Sequence, residues 1–107
     1  MLADVSRDLL DHSEARAEEA GIADRCDFVR ASATDLRAIG DGSVDVVTTR
    51  SVLIYVGDKR RAFEEFHRAL RPDGRLSVFE PVGSFRGREP RGVFLGCDVG
   101  PVADLAE

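Results

Sequence analysis

Only two cysteines occur in the chain, Cys26 and Cys97, and neither belongs to a Cys-x-x-Cys pair or has a histidine at metal-ligand spacing. Nothing in that pattern builds a disulfide framework or a zinc site, and no metal is expected. Basic residues are in deficit, 15 Lys plus Arg against 20 Asp plus Glu, giving a formal net charge of -5. Phosphate-rich surfaces are read by clustered Lys and Arg, so the balance works against nucleic acid or an anionic membrane as partner. No stretch approaches the roughly 20 apolar residues of a membrane span. The opening residues Met1-Leu2-Ala3-Asp4 lack the basic region and apolar core of a signal peptide, so a cytoplasmic location is expected. Internal repeats and low-complexity tracts are missing as well.

What is present suits one small α/β domain. The 107 residues are 43% hydrophobic and 33% charged, a soluble globular composition with material for only a modest core. Helix-like and strand-like segments alternate, which favours a parallel sheet covered by helices. Residues 1–5 read as the end of a strand. Ser6 is a helix N-cap with Asp8 in the first turn. Leu9, Leu10, Ser13, Ala17 and Ala20 recur at helical spacing, and Gly21 stops that helix. Residues 26–30 form a short strand candidate, and 31–39 a loop or short helix. Asp41-Gly42-Ser43 is a turn.

Residues 44–49 are β-branched apart from Asp45, as in a strand buried on both faces, where Asp45 would answer nearby backbone N–H groups. Residues 51–56 suit either a strand or a short helical turn. Asp58 caps a helix over 59–71 whose apolar face is Ala62, Phe63, Phe66, Ala69 and Leu70. The charged run Lys59-Arg60-Arg61 with Glu64 and Glu65 reads as a solvated helix face. Pro72-Asp73-Gly74 turns the chain into a strand over 75–80. The stretch 81–100, with glycines at 83, 87, 92, 96 and 100, reads as an irregular loop, and 101–107 as the start of a helix. His12 and His67 fall on polar helix sides without a partner, as solvated residues do.

Three stretches, in order, carry a resemblance. They are Asp4-Val5-Ser6-Arg7-Asp8-Leu9-Leu10, then Phe28-Val29-Arg30-Ala31-Ser32-Ala33-Thr34-Asp35-Leu36. The third runs from Val44-Asp45-Val46-Val47 through Val52-Leu53-Ile54-Tyr55-Val56 to Arg68-Ala69-Leu70-Arg71-Pro72-Asp73-Gly74-Arg75-Leu76. Together they resemble the class I S-adenosylmethionine-dependent methyltransferases, specifically the methyltransferase type 11 branch, over residues 3–82. The resemblance implies a Rossmann-like, doubly wound parallel sheet with S-adenosylmethionine as cofactor. Asp4 would hold the ribose hydroxyls, followed by Val5. Ser32 and Ala33 would meet the adenine, and Thr49 the methionine side. Asp4 also reads as a second cap of the first helix, and Ser32 as a plain turn. Ser32 departs from the family, which has Asp there. Tyr55 falls where the family lines its acceptor entrance, or in rim packing, and 83–107 falls in the acceptor region. No catalytic base stands out.

The family's first strand ends in a glycine-rich turn, and none lies ahead of Asp4 here. The family order 3-2-1-4-5-7-6 puts that strand between the second and the fourth. The sequence is therefore expected to hold strands 2 to 5 as an incomplete sheet with a gap, a fragment of a methyltransferase domain with low stability and poor cofactor binding. The parent's expected function is methyl transfer to a small-molecule acceptor. Two alternatives stay open: a fragment of a NAD(P)-dependent Rossmann oxidoreductase, whose cofactor ribose also meets an acidic residue after the second strand, and a non-catalytic module with a degenerate methyltransferase fold.

Overall fold

The computed structural model describes residues 1–81, together with the backbone of the short strands Val93–Phe94 and Cys97–Asp98. The chain opens with β1 (Leu2–Asp4) and α1 (Arg7–Glu19). A 3-10 turn (Ala23–Arg25) then leads into β2 (Phe28–Arg30). After a loop over 31–43 come β3 (Val44–Arg50), a second 3-10 turn (Leu53–Tyr55), α2 (Lys59–Ala69) and β4 (Leu70–Phe79). The alternation is the one the residue pattern implies.

Both helix starts follow from their capping residues. Ser6 Oγ accepts the Leu9 N–H at 3.3 Å, and Asp58 Oδ1 accepts the Arg61 N–H at 3.0 Å. Each bond satisfies an otherwise orphaned helix donor and contributes about 1 kcal/mol. Helix α1 closes with the Gly21 N–H on Glu18 O and the Ile22 N–H on Ala17 O. That paired arrangement needs a left-handed residue between, and Gly21 supplies it at φ 69°.

Helix α2 ends at Ala69, earlier than the expected 71, because Leu70 already takes extended geometry and pairs with Val44. Pro72 disfavours helical backbone at Arg71, which makes the earlier exit favourable. The Pro-Asp-Gly turn lies inside β4 as a bulge. Val44 pairs with Leu70, Val46 with Arg75, and residues 71–74 loop out opposite Asp45.

Two parallel strand pairs result, β1 with β2 and β3 with β4, and no ladder joins them among the described residues. This separation lies where the expected gap falls. The C-terminal ends of each pair carry the residues of interest. Helix α1 packs on β1 and β2, burying Leu10 and Ala17. Helix α2 packs on β4, and its Ala62, Phe66 and Ala69 form the main core with Leu36, Ile39 and Leu53.

Several burial expectations are corrected. β3 is not buried on both faces: Val46 is 52% exposed, and Thr48 and Arg50 are also exposed. Helix α2 lies on one side only, and no described helix covers the other. Asp45 does not answer backbone N–H groups, since its exposed carboxylate takes Arg71 Nε at 2.6 Å across the bulge. Leu9, Ala20 and Phe63 are exposed, so both helices bury a narrower stripe than their sequences offer. Phe63 instead packs edge-on against Phe66, with ring centroids 5.9 Å apart.

The expected loop over 81–100 contains a short antiparallel pair, β5 (Val93–Phe94) with β6 (Cys97–Asp98). Val93 is β-branched and Phe94 aromatic, the residue kinds enriched in strands. The expected helix start at 101–107 lies outside the described residues. No helix among those described is long and apolar enough to cross a membrane.

Candidate functional site

Parallel pairing brings the C-terminal ends of β1 and β2 side by side. Asp4 stands opposite Arg30, and the Ala31 N–H continues the ladder by donating to Asp4 O at 3.0 Å. The loop that begins at Ala31 therefore starts next to Asp4. The half-buried Asp4 carboxylate accepts the Ser6 N–H on Oδ1 at 2.8 Å. Its second oxygen, Oδ2, has no protein donor among the described residues. The cap and the ligand role are thus compatible, since each needs one oxygen.

The neighbouring positions are equally specific. Val5 is 62% exposed, and its carbonyl accepts Arg30 Nε at 3.2 Å. Ser32 Oγ accepts the Thr34 N–H at 3.3 Å and lies 2.9 Å from Thr34 Oγ1. Ala33 packs against the core, which leaves its backbone as the polar part. A shallow cleft of about 500 Å³ opens beside them, walled by Val5, Arg30, Ala31, Ser32, Asp35 and Arg37. Asp4 itself stands outside that wall.

Val5 and Ser32 thus share one cleft, Asp4 adjoins it through the Ala31 N–H, and Ala33 turns to the core. Thr49 and Tyr55 belong to the other strand pair. Thr49 sits near the end of β3 with its hydroxyl oxygen buried and without a full hydrogen bond, as is Glu80 Oε2. Glu80, just past β4, accepts the Val52 N–H at 2.9 Å. Burial pushes its carboxyl up, but the N–H groups of Leu53, Val52 and Ile54 and the nearby Thr49 hydroxyl bring it to a net value below the usual range. Ser51, between Thr49 and this turn, holds a left-handed φ of 52° and donates its N–H to Phe79 O at 2.9 Å. Tyr55 is 82% exposed and so does not pack in the core. His12 and His67 are exposed.

The charged run on α2 is not wholly a solvated face, because Glu65 is only 3% exposed. Its Oε2 accepts the Leu36 N–H at 2.6 Å, and Arg68 Nε reaches its Oε1 at 3.2 Å. Arg68, followed by the Leu36 N–H, holds the Glu65 carboxyl below the usual carboxylate range. The Asp35 carboxyl is lowered chiefly by Arg37, in an ion pair 2.6 Å long on the surface. Glu65 and Glu80 are residues that motif reading passed over, and Arg68 entered it only as part of a motif, with no role of its own. A signal for Glu65 existed: positions 62, 65, 66 and 69 form one stripe at helical spacing, and three of the four are apolar.

Comparison with known proteins adds the following. The family profile described as "Methyltransferase domain" matches residues 1–78. The tRNA 5-carboxymethoxyuridine methyltransferase of Escherichia coli (strain K12) is 31% identical over 78 residues, 73% of this chain and 30% of its own length. The thiol S-methyltransferase of Homo sapiens is 44% identical over 62 residues, 54% of this chain and 25% of its own. The ubiquinone/menaquinone biosynthesis C-methyltransferase of Hahella chejuensis (strain KCTC 2396) is 38% identical over 80 residues, 75% of this chain and 32% of its own. The chain therefore spans about a third or less of each of these relatives.

Proposed function

The chain belongs to the methyltransferase-domain family, and on that premise we propose that its protein moves a methyl group from S-adenosylmethionine to a small-molecule nucleophile. The observation that carries this reading is the half-used carboxylate of Asp4, at the C-terminal end of a parallel strand and adjoining the Ser32 loop. Ligands of open parallel sheets bind at the carboxyl ends of the strands.

The side chains fit the cofactor's nucleoside half. Asp4 Oδ2, without a protein donor among the described residues, can accept a ribose hydroxyl while Oδ1 keeps its cap, and the negative charge strengthens such a bond. The Ser32 hydroxyl can accept from the adenine amino group, without the charge an Asp would bring. The Ala33 N–H can donate to a ring nitrogen. Thr49 would line the methionine side with its backbone. When bound, the cofactor supplies a methyl group on a sulfonium that is already a good leaving group. The protein's contribution is then chiefly to hold the acceptor in line, and a catalytic base need not stand out. Tyr55, which is exposed, would be the side chain that meets the acceptor.

The acceptor is read from charge and from the relatives. Their names specify a tRNA uridine derivative, a thiol and a quinone-pathway carbon, so the relatives share methyl transfer and differ in acceptor. A net charge of -5 disfavours a polyanionic acceptor and supports a small molecule. The test is calorimetric titration of S-adenosylmethionine and of NAD, separately, into protein expressed from its complete reading frame. Saturable binding of the first alone is expected. Binding of NAD alone would overturn the reading.

A further inference from the structure

We propose that Glu65 and Arg68 of α2 are positioning residues that hold the 31–43 loop in the conformation that receives the adenine. The inference rests on the reading that Ser32 and Ala33 meet that ring. The loop has little regular structure of its own beyond a bridge between Ser32 and Asp35. Its shape is fixed from outside, by a helix about thirty residues further along the chain.

The grip is made on the backbone. The Leu36 N–H donates to Glu65 Oε2 at 2.6 Å, and the Leu36 carbonyl accepts from Arg68 at 2.8 Å, so both polar groups of one residue are taken by α2. Arg68 also donates to Ile39 O at 2.8 Å and to the Asp41 carboxylate. The Gly42 N–H donates back to Arg68 O at 2.8 Å. Glu65 closes the arrangement by bonding Arg68 through both its oxygens at 3.2 Å. A guanidinium can serve two carbonyls and a carboxylate at once because its donors form a rigid fork, which an ammonium lacks.

This geometry acts on Ser32 and Ala33 through short connections. The Asp35 N–H donates to Ser32 O at 3.0 Å, one residue before the gripped Leu36. Ala33 and Leu36 pack into the same core as Phe66 of α2. A shift of Leu36 therefore moves the adenine-side residues as a unit. Arg61 provides the contrast. It touches Glu65 Oε1 at 3.2 Å from the solvent side and makes no hydrogen bond to the loop among the described residues.

The experiment uses protein from the complete reading frame, with S-adenosylmethionine as probe, well below the melting temperature of every variant. Arg68→Lys and Glu65→Gln are compared with Arg61→Met. Measured are the dissociation constant, kcat and KM for the cofactor, and hydrogen exchange at the Leu36 amide. Arg68→Lys is expected to weaken binding and raise KM about tenfold, the size of one charge-assisted hydrogen bond, with kcat within about twofold. Glu65→Gln keeps an acceptor for Leu36 and should show a smaller change in the same direction. Arg61→Met should bind as the parent does. Faster exchange at Leu36 with unchanged affinity would overturn the positioning role, as would equal weakening by Arg61→Met. If Arg68→Lys does not fold, Glu65→Gln decides alone. Failure of the unsubstituted protein to bind S-adenosylmethionine would remove the functional reading and this role with it. Exchange at Leu36 would still report whether the clamp exists.

Discussion

At the scale of single residues, two substitutions separate what the local geometry demands from what the cofactor would demand. Gly74 sits at the base of the β4 bulge, where an added Cβ would lie 2.9 Å from both Arg71 O and Leu70 Cδ2 and 3.2 Å from Asp45 O. Backbone oxygens cannot move aside cheaply, so Gly74→Ala should destabilise the fold by about 1–3 kcal/mol, measured by denaturant titration. Its neighbour Asp73 holds φ 64°, a left-handed backbone that Asp tolerates better than most non-glycine residues. Ser32 is the opposite case, a residue whose backbone is ordinary and whose chemistry departs from the family. On the proposed function, Ser32→Asp would add charge to the acceptor assigned to the adenine and should tighten S-adenosylmethionine binding about three- to tenfold. The position of Asp4 at a strand end was legible in the sequence because an acid ahead of a helix-capping serine is a compact local pattern. The fate of Glu65 was less so, since its burial depends on a loop that folds back from position 36.

At the scale of elements, α2 does more than cover a sheet. It buries Ala62, Phe66 and Ala69 and, through Glu65, ionises a carboxylate inside the core. Its pH dependence follows from the direction of that carboxyl's shift. Glu65 lies below its ordinary 4.5 in the folded protein, so its contribution is present above about that pH and lost as the pH falls through the lower folded value. Melting temperatures measured from pH 7 down to pH 3 should fall in the acid range, and Glu65→Gln should flatten part of that fall. An unchanged profile in the variant would contradict the buried network. Helix and strand positions could be read from periodicity and caps, because both are local signals. The end of α2 was misplaced by two residues, because pairing of Leu70 with Val44 is a long-range event. The burial of β3 was overstated for a related reason. A β-branched run states that a strand can be buried, while the elements packed on it decide whether it is.

At the scale of the whole molecule, the described residues form two strand pairs, each carrying its own helix, without a ladder between them. The larger core belongs to α2 with β3 and the 31–43 loop, while Leu10 and Ala17 lie under α1. Cooperative unfolding needs contacts shared across the molecule, so the 107-residue chain should melt broadly, with amides of β1 and β2 exchanging faster than those of β3 and β4. A single sharp calorimetric transition would contradict this. The functional account joins both halves through one cofactor, whose nucleoside end is assigned to Asp4 and Ser32 and whose methionine end is assigned to Thr49. The most direct test is the S-adenosylmethionine dissociation constant of the protein from its complete reading frame, beside that of Asp4→Asn, which keeps the Ser6 cap and removes only the charge. The account predicts a roughly tenfold or greater loss of affinity with the melting temperature of the free protein nearly unchanged. Equal affinity in the two proteins would contradict it.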